Sequence, residues 1–156
     1  VDPTRIESER APAAASKQTT PVVAGVYFGV AGALATLPFV LLADNPADSA
    51  RMITVAAAIA ASLVGALMWL LVVGDRSERW RGPVAGALTG LLAHPPMWAI
   101  VSVVLGAGLD FGIEKNVSGA FGSAVFFGFF SMLIYGALTA PLGAFVGWWL
   151  GRVRGR

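Results

Sequence analysis

Four long stretches of the chain, 18–43, 52–74, 82–109 and 116–151, contain no Asp, Glu, Lys or Arg. A helix needs about 20 apolar residues, each rising ~1.5 Å, to cross the ~30 Å hydrocarbon core of a bilayer. Each stretch supplies them. In hydrocarbon every backbone N–H and C=O must be paired within the protein, and a helix does this inside one segment. The pattern predicts an all-α integral membrane bundle of four transmembrane helices, at about 22–43, 51–74, 83–108 and 123–150. Residues 1–20 read as a flexible tail, 21–151 as the transmembrane domain and 152–156 as a basic end.

Composition agrees. The 156 residues are 56% hydrophobic, with a mean hydropathy of +0.73, too apolar for a domain whose outer faces meet water. The net charge of +2 comes from 11 basic and 9 acidic residues in the tails, connections and span edges. Bases so placed point to lipid headgroups as partners and not to nucleic acid. The absence of cysteine excludes disulfides, Fe–S clusters and thiolate metal sites. Residues 1–20 do not read as a cleavable signal peptide, so the first apolar segment is expected to act as an uncleaved anchor.

Arg5, Arg10 and Lys17 lie before the first span. Arg76, Arg79 and Arg81 join the second to the third, and Arg152, Arg154 and Arg156 follow the fourth. Arg51 and Lys115 are the only bases in the other two connections. This bias predicts that both termini are cytoplasmic. High Ala, Gly and Arg with little Lys points to a prokaryotic plasma membrane. Arg79, Trp80 and Arg81, and Trp148, Trp149 and Arg152, have the Trp-beside-Arg pattern of helix ends anchored at the lipid interface.

Lipid tails are as apolar as leucine, so pairing of inserted helices relies on small residues one turn apart. Gly25, Gly29 and Ala33 form such a ridge; so do Ala57, Ala61 and Gly65, and Gly82, Gly86 and Gly90. The fourth span carries two: Gly136, Ala140 and Ala144, and Gly143, Gly147 and Gly151. These glycine zippers are the expected helix-packing seams. One neighbour is not expected to use both stripes of the fourth span, so one is a candidate seam for a sister subunit or another membrane protein. Phe126, Phe127, Phe129 and Phe130 ring the start of that span, and some are expected to meet lipid. Val23-Ala24-Gly25 with Gly29 is echoed by Val84-Ala85-Gly86 with Gly90, compatible with two duplicated hairpins.

His94 is the one ionisable side chain deep in a span, followed by Pro95-Pro96. Each proline withholds a backbone donor and crowds the preceding turn, so the third helix is expected to break at His94-Pro95-Pro96. The carbonyls around Leu91 and Leu92 then need other donors, which turns the break toward the bundle interior. His94, Pro95 and Tyr135, the last at similar depth in the fourth span, are the candidate intramembrane polar site. A neutral histidine locking a kink is one reading; a haem ligand, a proton-relay group or a substrate contact are the others. Thr36, Ser62, Thr89, Ser102, Ser131 and Thr139 are also at depth, and each can bond a carbonyl of its own helix.

No second His and no carboxylate lies at depth to complete a relay, and one histidine does not make a metal site. Asp44, Asp48, Asp110 and Glu114 form an outer acidic rim, read as solvated capping residues. Asn116-Val117-Ser118 matches a glycosylation acceptor. No nucleophile–base pair can be assembled. The sequence therefore predicts a small non-enzymatic membrane protein, an accessory or assembly subunit associating with other subunits or itself and needing no cofactor. The alternatives are an oligomeric transporter or channel lined by His94, and a haem- or quinone-associated subunit of an electron-transfer complex.

Overall fold

The structure, a computed structural model, describes residues 19–42, 49–74, 78–104 and 117–154. The tail to residue 18, the acidic rim (Asp44, Asp48, Asp110, Glu114), Asn116, Arg76 and Arg156 lie outside the described residues.

Among the described residues the chain is helical, without strands. Helix α1 spans Pro21–Ala35, α2 Leu37–Leu42 and α3 Ser49–Met68, which runs into a π-helical turn at Trp69–Val73. Then come α4 (Arg81–Leu92), α5 (His94–Val104) and α6 (Val117–Arg154). Three stretches, Ala50–Val73, Arg81–Val103 and Ala124–Val153, are long and apolar enough to cross a membrane, which suggests an integral membrane protein. Large apolar side chains on the outside of all three, such as Leu71, Val103 and Phe126, would be a liability in water and suit lipid.

The expected first span is divided. Pro21 occupies the first position of α1, and the Val23 N–H bonds the Thr20 hydroxyl at 3.3 Å, an ordinary cap. At the other end Pro38 offers no N–H to the Leu34 carbonyl, and its ring crowds the turn before it. The chain tightens there: the Thr36 N–H bonds the Ala33 carbonyl three residues back at 3.2 Å, and helix resumes as Val40 N–H bonds the Thr36 carbonyl. The break thus falls at Thr36, two residues before the proline.

The last turn of α3 widens so that Gly74 N–H bonds the Trp69 carbonyl five residues back, at 3.0 Å. Gly74 then turns the chain out of the helix at φ 46°, a conformation glycine tolerates. The carbonyl of Val72, in this last turn, accepts from Arg81 Nη1 at 2.9 Å. At the fourth span, α6 begins at Val117, so part of the outer loop expected at 109–122 is helical. No charge or proline interrupts 117–140, and Pro141 sits inside the helix without ending it.

The helices form two hairpins. In the first, α1 lies on α3 so closely that a Cβ at Gly25 would stand 2.7 Å from the Ser62 carbonyl, and one at Gly29 would meet the Ser62 hydroxyl. Gly65 in turn receives the ring of Phe28. In the second, α4 and α5 lie on α6. A Cβ on Gly82 would fall on the Gly147 carbonyl, one on Gly86 on that of Gly143, and one on Gly90 on that of Thr139. Gly136 faces Leu91, and Gly128 admits Pro95.

Both stripes of the last helix therefore border the same partner, contrary to the expectation of a spare seam. Gly136, Ala140, Gly143 and Gly147 are spaced four, three and four, which makes one continuous helix face. Ala144 completes it beside Gly86.

The two hairpins join at the end that carries Arg81 and Arg152. Ala24 and Phe28 of the first meet Ala85 and Leu150 of the second around Trp69 and Val73. Trp69 is 1% exposed, and its indole N–H donates to the Thr19 carbonyl at 3.1 Å. Beyond this plug the hairpins leave a hollow between them.

Candidate functional site

The hollow is a cavity of about 320 Å³. Its apolar wall includes Ala31 and Ala35 of α1, Ala57 and Ala61 of α3, Met97 of α5 and Leu142 of α6. The small side chains leave the space, and Gly86 and Gly143, by bringing α4 onto α6, fix the wall opposite.

That wall is built on the helix break. Ala93 closes α4 with its N–H on the Thr89 carbonyl at 3.0 Å, and α5 opens at His94 with Met97 N–H on the Ala93 carbonyl at 3.1 Å. The interruption lies one residue before the expected His94-Pro95-Pro96. Both prolines fall in the first turn of α5, where a missing N–H costs that helix nothing.

His94 is 8% exposed. Its Nδ1 lies 2.8 Å from the Ser131 hydroxyl and its Nε2 3.1 Å from the Thr139 hydroxyl. Ser131 Oγ also accepts from the Trp98 indole N–H at 3.0 Å, and Thr139 Oγ1 donates to the Gly90 carbonyl at 2.8 Å. A neutral imidazole has one N–H and one lone pair. With the proton on Nε2, a single directed chain satisfies every donor: Trp98 N–H to Ser131, Ser131 O–H to His94 Nδ1, His94 Nε2–H to Thr139, and Thr139 O–H to the Gly90 carbonyl. Ser131 and Thr139 lie one turn on either side of Tyr135, and Tyr135, His94, Ser131 and Thr139 all border the cavity.

A second polar bridge closes one edge. Thr36 Oγ1 and Thr54 Oγ1 are 2.8 Å apart, and the carbonyls of Ala33 and Ala50 lie within 2.7 and 2.9 Å of them. Thr36 borders the cavity too. Thr89, 2% exposed, spends its proton on its own helix, on the Ala85 carbonyl at 2.8 Å.

Trp80, Trp148 and Trp149 are exposed, as are Arg79 and Arg152, and the Arg152 guanidinium lies 4.1 Å above the Trp148 ring. Arg81 is tied into the fold. Its side chain is 14% exposed, pairs with Glu78 at 2.9 Å and caps the Val72 carbonyl.

Sequence reasoning anticipates a neighbouring Ser, Thr or freed carbonyl against a neutral His94, but does not single out Ser131, Thr139 or Trp98. The signal available was spacing: 131, 135 and 139 fall on one helix stripe, and two hydroxyls a full turn from a central tyrosine can bracket an imidazole. Among the described residues no group of three or more His, Asp or Glu could hold a metal ion. Comparison of the chain with protein-family models, curated proteins and solved structures gave no match.

Proposed function

We propose that this is a non-enzymatic membrane protein of four crossings that binds a small lipophilic molecule between its two helical hairpins. In this reading it resides in a prokaryotic plasma membrane with both termini cytoplasmic. The observation that supports it is the cavity of about 320 Å³ beside His94. Its size falls at the lower end of small-molecule sites, which are concave, mostly apolar and carry a few convergent polar groups. An apolar cavity of about half that volume already accommodates benzene.

The rival readings draw less support. The glycine seams that favour an assembly subunit are occupied within the chain, so docking of other subunits would fall to outer surfaces such as Phe126, Phe129 and Phe130. A haem ligand needs an imidazole lone pair, and hydroxyls stand against both ring nitrogens of His94. A subunit that holds a quinone-sized ring is consistent with the cavity.

Filling the space tests the proposal. Ala57→Phe should remove binding of naphthalene, measured by equilibrium dialysis in nanodiscs against empty nanodiscs of the same lipid, while the protein still unfolds cooperatively. Uptake of naphthalene and 1-naphthol alike no greater than that of empty nanodiscs, or binding unchanged in a folded Ala57→Phe, would end it.

A further inference from the structure

We infer that the cavity selects lipophilic molecules that donate a hydrogen bond, alcohols or phenols including hydroquinones, over the ketones, ethers or quinones of the same shape. The inference rests on the cavity being a ligand site and names the chemistry that the ligand must bring.

The argument is a count of protons. Four polar hydrogens belong to the network on the cavity wall: the Trp98 indole N–H, the Ser131 and Thr139 hydroxyls and the single N–H of neutral His94. With the histidine proton on Nε2 they go to Ser131, His94, the Gly90 carbonyl and Thr139 in turn. With the proton on Nδ1, His94 donates to Ser131, Ser131 turns to the Gly128 carbonyl at 3.3 Å, and Thr139 donates to Nε2. Either way all four are committed. The second arrangement strips the Gly90 carbonyl of the Thr139 hydroxyl, which favours the first.

The neighbouring threonine hydroxyls are committed as well. Thr89 donates to Ala85, and Thr36 and Thr54 share two protons among three acceptor positions. What these groups retain is lone pairs, on Ser131, Thr139 and Thr89. Against these groups a ligand carbonyl would meet no donor and would lose the bonds it made outside. A ligand O–H placed against Ser131 or Thr139 would extend a chain already polarised in one direction. The Tyr135 phenol stands outside this count, and its removal belongs in the test.

The experiment uses the full chain in nanodiscs and three probes with one aromatic body: 1-naphthol, naphthalene and 1-methoxynaphthalene. Equilibrium dialysis against empty nanodiscs removes partition into lipid. 1-Naphthol should bind about ten-fold tighter than 1-methoxynaphthalene, the ratio one buried hydrogen bond supplies, with naphthalene no tighter than the phenol. Tyr135→Phe should keep the order. Ser131→Ala frees the Trp98 N–H and Thr139→Ala frees the His94 N–H, so in either variant the preference should shrink or reverse toward the ether. Equal binding of all three probes to the wild type, or preference for the ether, overturns the inference while leaving the cavity as a ligand site. Binding of none overturns both.

Discussion

The Thr139 hydroxyl reaches the Gly90 carbonyl at 2.8 Å across the second hairpin, and it can do so because Gly90 has no side chain. A Cβ there would fall on the backbone carbonyl of Thr139 itself. One small residue thus brings two helices to contact distance, and one hydroxyl then ties the hairpin to the histidine on the break. Packing and polar chemistry meet at a single point of the bundle.

Removing that hydroxyl should be felt as a missing donor and acceptor. Thr139→Val leaves the Gly90 carbonyl and the His94 N–H without their partner, at a cost of about 1–2 kcal/mol, near the upper end for hydrogen bonds between membrane helices. Thr139→Ser should recover most of the loss. Reversible unfolding in mixed micelles by an increasing fraction of dodecyl sulfate measures both; equal stability of Val and Thr at this position would refute the assignment.

The glycines should separate into two groups. Gly86→Ala and Gly143→Ala each push a methyl into the opposite backbone, which cannot swing aside as a side chain would, so each should cost about 2 kcal/mol or more. Gly122→Ala and Gly151→Ala meet open space and should be neutral or stabilising by up to about 1 kcal/mol, since alanine is the better helix former. The same unfolding measurement, run on all four, tests the seam.

Much of this architecture could be read from the chain, and the parts that could not have identifiable causes. Charge-free runs mark three of the long helices because insertion depends on side-chain polarity summed along a segment. The break near Pro95 follows from a missing donor and a steric clash, both local. The π turn at Trp69–Val73 leaves no such trace: the contacts Trp69 makes there, with Phe28 and Thr19, come from residues far away in sequence. The pairing of Ser131 and Thr139 with His94 depends on the register between α5 and α6, which the four-residue spacing of 131, 135 and 139 allows but does not fix. The second stripe of α6 is left open by the sequence for the same reason: small residues announce close approach without naming the neighbour.

Arg81 illustrates that difference in energy. Its bond to the Val72 carbonyl is part-buried, whereas its partner Glu78 is half exposed. Exposed ion pairs contribute about 0–1 kcal/mol, and a charged donor on a shielded carbonyl about 1.5–3 kcal/mol. Arg81→Ala should therefore destabilise by about 2 kcal/mol and Glu78→Gln by less than about 1 kcal/mol. Comparable losses in the two variants would mean that the arginine acts through the carboxylate and not through the end of the π turn.

The number of crossings turns on α1 and α2. Together with Thr36 they extend from Pro21 to Leu42, about 33 Å at ~1.5 Å per residue if the axis stays nearly straight, enough to span the hydrocarbon. Because the chain has no cysteine, single replacements at Ser16, Asn45 and Ser77 can each be labelled without background. If α1 and α2 cross together, Ser16→Cys and Ser77→Cys react with an impermeant maleimide from the cytoplasmic face and Asn45→Cys from the opposite one. Should the pair lie along the interface, Ser16→Cys and Asn45→Cys would label from the same side. Spheroplasts and inverted vesicles distinguish the two patterns, and the second would leave a bundle of three crossings whose cavity opens directly to lipid where α1 now stands.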